Sequence, residues 1–244
     1  MGQDAAMKTM PEETKDPLRP GDADLYYALA TAFGTGFAVE RDLPRAVRYL
    51  EKAAALHHPA ATYFLGYCSS EGLGMPRRNH KKAFRCFAEA AKLGVVEGVT
   101  GMAWCFSHGE GVKRDKAKAF RLYREAAKKG DALAQYNLGC FFSKGMGGCQ
   151  KDLKEAFKWY LAAAQKGYPP AQHQTGCCCA GGRGVGKNPR RAVFWYRKAA
   201  AQGEEDAIWN LAVCFETGTG VRRNPAKAKE LFASLEKKPS PRKP

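Results

Sequence analysis

A pattern of 36 or 37 residues recurs six times along the chain and constrains its fold more than any other feature. Each copy contains an alanine, an aromatic residue or leucine four positions later, and usually an Ala-Ala pair. The marker alanines are Ala46, Ala83, Ala119, Ala156, Ala192 and Ala228. A Gly-x-Gly sequence keeps the same register, from Gly34/Gly36 to Gly218/Gly220. Self-similarity at this period is typical of a solenoid with one helical unit per repeat.

Each repeat is predicted to form two helices, A and B. Helix A carries small and apolar residues on one narrow face, as at Ala134, Leu138 and Gly139. The paired glycines end helix A because glycine tolerates a positive φ. Helix B is predicted to begin at an Asp or Asn four residues before each marker alanine, where the side chain caps the first turn. These predicted caps are Asp42, Asn79, Asp115, Asp152, Asn188 and Asn224.

The fourth repeat resembles the Sel1-like repeat, a relative of the tetratricopeptide repeat. The resemblance rests on Ala-Gln-Tyr-Asn-Leu-Gly at residues 134–139, Gly145, Asp152, Ala156 and Gly167, and several of these positions recur in register. It implies an all-α fold, a right-handed αα solenoid superhelix of about six helix-turn-helix repeats. It also implies a non-enzymatic protein-interaction scaffold or adaptor, or a structural subunit of a larger complex.

The repeats are expected to span residues 22–237, between disordered segments at 1–21 and 238–244. The first 20 residues contain four acidic residues and three prolines without an apolar core, which argues against an ordinary secretory signal. No stretch has the 18 or so consecutive apolar residues of a membrane span. We therefore expect a cytoplasmic protein, with a place in an organellar complex, for example a mitochondrial one, as the alternative.

The cysteines and glycines do not form a recognisable catalytic, cofactor or metal motif. Cys68, Cys105, Cys178 and Cys214 share one helix A position, so neighbouring repeats hold them too far apart for disulfides. Consecutive cysteines at 177–179 point in different directions on a helix, and the histidines are scattered. Cys149 is interpreted either as a surface residue without a chemical role or as a free reactive thiol. The chain is predicted to be no enzyme and to need no metal or cofactor.

A protein-binding groove is predicted along the A helices, by analogy with tetratricopeptide arrays. Its predicted lining is mostly aromatic, and aromatic residues dominate binding hot spots. The predicted lining residues are Tyr63, Tyr67, Trp104, Tyr136, His173 and Trp209, and Leu25 occupies the corresponding region of the first repeat. The alternative is that these residues only pack against the adjacent repeat.

Basic residues concentrate on the B helices. The chain has 40 Lys and Arg against 24 Asp and Glu, a net charge of +16, which favours acidic partners. The predicted basic face comprises Lys82, Arg85, Arg121, Arg124, Lys128, Lys158, Arg190 and Arg197. An acidic protein is one partner for this face, and nucleic acid or another acidic surface is the alternative. Part of this concentration of basic residues is explained if they simply form the solvent-exposed faces of the B helices.

Overall fold

The computed structural model describes residues 19–236, which form a short 3-10 helix and twelve α-helices without a strand. The predicted all-α repeat architecture is thereby confirmed. Residues 1–18 and 237–244 lie outside the described residues, and most of the two predicted disordered segments falls there. The 3-10 helix, Pro20–Asp22, occupies the end of the first of these segments. Each α-helix has 12 or 13 residues, and no described helix is both long and apolar enough to span a bilayer.

The twelve helices alternate between A helices, which have odd numbers, and B helices, which have even numbers. They are α1 (Ala23–Thr35), α2 (Leu43–Ala55), α3 (Pro59–Glu71), α4 (His80–Lys92), α5 (Val96–His108), α6 (Lys116–Lys128), α7 (Ala132–Lys144), α8 (Leu153–Gln165), α9 (Pro169–Gly181), α10 (Pro189–Ala200), α11 (Glu205–Thr217) and α12 (Pro225–Glu236). The chain divides into two compact units. The first ends at Arg78 and contains α1 to α3, and the second begins at Asn79 and contains α4 to α12.

All six predicted caps of the B helices are present. In α6, for example, Asp115 Oδ1 accepts a hydrogen bond from the Lys118 amide at 2.8 Å. The capping oxygens of the other five belong to Asp42, Asn79, Asp152, Asn188 and Asn224. Each cap satisfies an amide of the first helical turn and contributes about 1 kcal/mol. The caps set the point at which every B helix starts.

The predicted register fails in the first repeat, where Gly34 lies inside α1 and Gly36 ends the helix with φ 78°. In the other five repeats, the two glycines of Gly-x-Gly have different roles. The first ends its A helix in the left-handed conformation, as at Gly182 with φ 70°. The second lies against the first residue of the preceding B helix: a Cβ at Gly184 would overlap the Leu153 carbonyl oxygen. The same contact joins Gly74 to Leu43, Gly111 to His80, Gly147 to Lys116 and Gly220 to Pro189. The second glycine therefore permits a close approach between repeats.

The core of the second compact unit contains small residues that surround a few large side chains. Ala119, Ala126 and Ala134 are fully buried, and they pack around Tyr123 and Leu138. Alanine lets neighbouring helices approach closely, so one large side chain fills the space between them. The alternation of A and B helices thus buries the recurring alanine face and leaves the opposite faces of the helices available for function.

Candidate functional site

The predicted groove residues all lie on A helices, but their exposure differs. Tyr63 and Tyr67 belong to α3 of the first compact unit, where Tyr67 is 47% exposed and Tyr63 is half-buried. Leu25, on α1 of the same unit, is 55% exposed. In the second compact unit, Trp209 is exposed, Trp104 and Tyr136 are half-buried, and His173 is buried. Each unit therefore presents part of the predicted aromatic set.

The two tryptophans of the second compact unit are held in defined positions. Trp104 on α5 stacks on His108 one turn later, with ring centroids 4.4 Å apart. Trp209 on α11 is 54% exposed, and its ring meets the edge of Phe232 at a centroid distance of 6.4 Å. Large aromatic side chains that are both exposed and positioned by neighbours are suited to insertion into a partner's surface.

Tyr136 and His173 make contacts to the following repeat. The Tyr136 ring lies 5.4 Å from that of Tyr168, the N-cap residue of α9, and 5.8 Å from that of Tyr160 on α8 of the same repeat. Burial raises the pKa of the Tyr136 hydroxyl. His173 Nε2 accepts a hydrogen bond from Asn210 Nδ2 at 2.9 Å. At these two positions the structure shows packing between repeats, the alternative left open by the sequence.

His173 also forms a thiol-imidazole pair that the sequence analysis missed. Cys177 follows one helical turn later, and its Sγ lies 3.2 Å from His173 Nε2. The hydroxyl of Tyr196 donates a hydrogen bond to the same sulfur at 3.5 Å. Burial raises the pKa of the Cys177 thiol and lowers that of His173, so both groups favour their neutral forms. The spacing His-x-x-x-Cys on one helix face could have signalled the pair.

Two carboxylates from the next repeat approach the same histidine. Glu204 is the N-cap residue of α11 and makes no side-chain capping hydrogen bond, and Asp206 lies in the first turn. The ligand atoms of His173, Glu204 and Asp206 all lie within 4.8 Å of one another. In the sequence, His173 is one of several scattered histidines. The cluster forms only in the folded chain, where the beginning of α11 lies close to His173 of α9.

The nine cysteines are free thiols, of which four are buried and five are half-buried. Cys105, Cys178 and Cys214 are buried at the shared helix A position, and Cys68 is half-buried. Cys149, which the sequence left open as a reactive thiol, donates a hydrogen bond to the Met146 carbonyl at 3.0 Å. Desolvation raises its pKa, which lowers the fraction of the nucleophilic thiolate.

The predicted basic face lies entirely on B helices of the second compact unit. Helix α6 has five basic residues and one acidic residue, Glu125. Lys82 is half-buried, and the other members are exposed, namely Arg85, Arg121, Arg124, Lys128, Lys158, Arg190 and Arg197. Lys158 pairs with Glu155 at 3.3 Å, and the Arg197 guanidinium lies 5.7 Å from the centre of the Phe215 ring. The face therefore retains a strong positive charge.

Comparison with protein families gives a match for every repeat. The family model described as Sel1 repeat matches residues 23–58, 59–95, 97–131, 132–168, 169–204 and 205–235. These matches agree with the helix pairs of the structure and with the register of the marker alanines. No curated protein matches the chain.

Solved structures with the same fold come from several bacteria. A Sel1 repeat protein from Oxalobacter formigenes is 25% identical, with 94% of this chain and 90% of that chain covered and a TM-score of 0.80. A protective antigen of uropathogenic Escherichia coli strains, c5321, which displays an SLR fold, is 29% identical with a TM-score of 0.73. That match covers 88% of this chain and only 46% of the length of the E. coli protein.

Proposed function

Because the chain belongs to the Sel1 repeat family, whose members generally mediate protein-protein interaction, we propose that it is a non-enzymatic scaffold that binds a protein segment on the A helices of its second compact unit. The centre of this surface is Trp209, with Trp104 at a second contact point. In this role the chain serves as an adaptor or as a subunit of a larger complex.

The observation that carries the proposal is the exposure of Trp209. More than half of this side chain is accessible, although most other large side chains of the second compact unit are buried or half-buried. Removal of tryptophan from a binding surface often costs 2 kcal/mol or more, roughly a thirtyfold loss of affinity.

Affinity capture followed by mutation tests the scaffold. We expect Trp209→Ala to reduce the binding of the captured partner by roughly tenfold or more, and Trp104→Ala to reduce it further. Phe194→Ala is the matched control, because Phe194 is 50% exposed but lies on the B helix α10. Binding is measured by calorimetry with the purified partner. The proposal is wrong if the partner binds the folded double tryptophan variant as tightly as it binds the original chain.

A second candidate function is the binding of nucleic acid through the basic face. The exposed cations of α6 favour it, since five basic residues accompany one acidic residue on that helix. Binding of this kind is dominated by phosphate contacts and weakens steeply with salt, because each contact releases counterions.

Gel-shift measurements with duplex DNA and single-stranded RNA of mixed sequence test the second candidate. We expect the combined change Arg121→Gln and Arg124→Gln to weaken binding and to reduce the slope of log affinity against log salt by about 2, or about 1 for each lost contact. Lys144→Gln on the A helix α7 is the control and should leave the slope unchanged. If neither probe shifts at low salt, the basic face has no nucleic-acid function.

A further inference from the structure

The environment of His173 differs from that of its counterpart in the preceding repeat. There, the equivalent residue Tyr136 packs edge-on against Tyr168, which occupies the position of Glu204. One repeat later, the two aromatic rings are replaced by an imidazole and a carboxylate, and a second carboxylate, Asp206, joins them. The repeat fold does not require this combination, because the preceding repeat folds without it.

The helix dipole explains only part of the cluster. Carboxylates in the first turn of α11 are stabilised by the positive end of the dipole. This effect gives no reason for an imidazole with 9% exposure to lie within 4.8 Å of both carboxylates. The imidazole comes from a different helix, α9, so its presence is a second and independent feature of the site.

The position of the imidazole is fixed by contacts that leave one nitrogen available. Nε2 is held by Asn210 and contacts Cys177. Nδ1 makes no hydrogen bond to any part of the chain that the structure describes. Histidine ligands of metal ions usually donate the N–H of their other ring nitrogen to a neighbour. When Nδ1 binds an ion, Nε2 carries the ring proton and can donate it to Cys177 Sγ, 3.2 Å away, and the Asn210 amide must then turn its oxygen toward the ring.

We propose that His173, Glu204 and Asp206 bind a divalent transition-metal ion, with Zn²⁺ as the ion that best fits the donors. One imidazole and two carboxylates supply nitrogen and oxygen ligands, a mixture that suits Zn²⁺ better than the all-oxygen preference of Mg²⁺ or Ca²⁺. Three protein ligands leave a fourth tetrahedral position for water or for a side chain of a partner. Donors within 4.8 Å of one another need only a small approach to share one ion.

Such an ion would join two consecutive repeats. His173 belongs to α9, and the carboxylates belong to the beginning of α11. Binding to the folded state alone stabilises a protein in proportion to ligand concentration, so Zn²⁺ should raise the temperature of unfolding. The expectation from the scattered histidines, that the chain has no metal site, is thus replaced by a specific three-ligand proposal.

Titration of the metal-free full chain with Zn²⁺ alone, followed by calorimetry, tests the site. We expect one saturable site, with affinity reduced at least roughly tenfold in His173→Gln and in Asp206→Asn. Both variants keep all nine cysteines, so loss of the site in either one cannot come from the removal of a thiol. Glu205→Gln is the matched control, because it removes a neighbouring charge from the same helical turn without removing a proposed ligand. Zn²⁺ should raise the unfolding temperature of the original chain and of this control, but not of His173→Gln.

Two results would overturn the proposal. One is Zn²⁺ binding by folded Asp206→Asn with unchanged affinity, which would show that the carboxylate is not a ligand. The other is an equal loss of Zn²⁺ affinity in Glu205→Gln and Asp206→Asn. That result would indicate that the negative charge of the first turn of α11 attracts the ion without specific ligands. Because Asp206 is exposed, its amide variant should fold even if His173→Gln does not.

Discussion

Replacement of Gly184 with alanine is expected to lower the free energy of unfolding of the second compact unit by about 2 to 5 kcal/mol. Two costs combine in this number. Gly184 has φ 73°, where an alanine costs roughly 1 to 2 kcal/mol. The added Cβ would also overlap the Leu153 carbonyl oxygen, and relief of such a clash in a packed interface costs roughly 1 to 3 kcal/mol. Denaturant unfolding followed by circular dichroism measures the sum.

Gly167→Ala separates the two costs. Gly167 has φ 90°, yet a Cβ at this position would meet no atom within 4 Å. We therefore expect Gly167→Ala to lose only the conformational part, roughly 1 to 2 kcal/mol. Equal losses in the two variants would show that contact between the second glycine and the preceding B helix contributes nothing to stability.

Removal of the Tyr123 side chain is expected to have an effect of similar size. Tyr123 is 1% exposed, and its ring meets the edge of Phe141 at a centroid distance of 5.6 Å. Truncation of a large buried aromatic side chain typically costs 3 to 5 kcal/mol, because apolar contacts are lost and a cavity remains. Tyr123→Ala should therefore lower the free energy of unfolding by about 3 to 5 kcal/mol in the same denaturant experiment.

Tyr123→Phe gives the opposite expectation. The Tyr123 hydroxyl is buried and has no hydrogen-bond partner within residues 19–236, and burial raises its pKa. A buried polar group without a partner carries a desolvation cost, so its removal should leave stability unchanged or raise it by up to about 1 kcal/mol. A loss of more than 1 kcal/mol in Tyr123→Phe would reveal that the hydroxyl has a stabilising partner.

The aromatic surface and the basic face could be assigned to helices from the sequence, because both follow the repeat. The degree to which each of these side chains is exposed could not be predicted from the sequence. Trp209 and His173 occupy equivalent positions of successive repeats, yet one is 54% and the other 9% exposed. His173 is covered because Asn210 of the following repeat packs on it, whereas among the described residues the ring contact of Trp209 is to Phe232 of α12, which meets one edge of the indole.

The positions of the helices followed from the sequence alone. The caps such as Asp115, the terminating glycines and the alanine markers act within a few residues of one another, so their spacing reveals the structure they form. The repeat of these local signals also indicated the fold class, since a single helix pair cannot bury its apolar face without neighbours.

The tertiary structure alone decided which side chains meet across repeats. The overlap that excludes a side chain at Gly184 arises from Leu153, and the cluster at His173 depends on Glu204 and Asp206. These partners lie about one repeat away in the chain, where local spacing carries no information on the distance between atoms. Packing of successive helices at close range brings them together, and it is therefore the source of both the stability of the repeats and the proposed metal site.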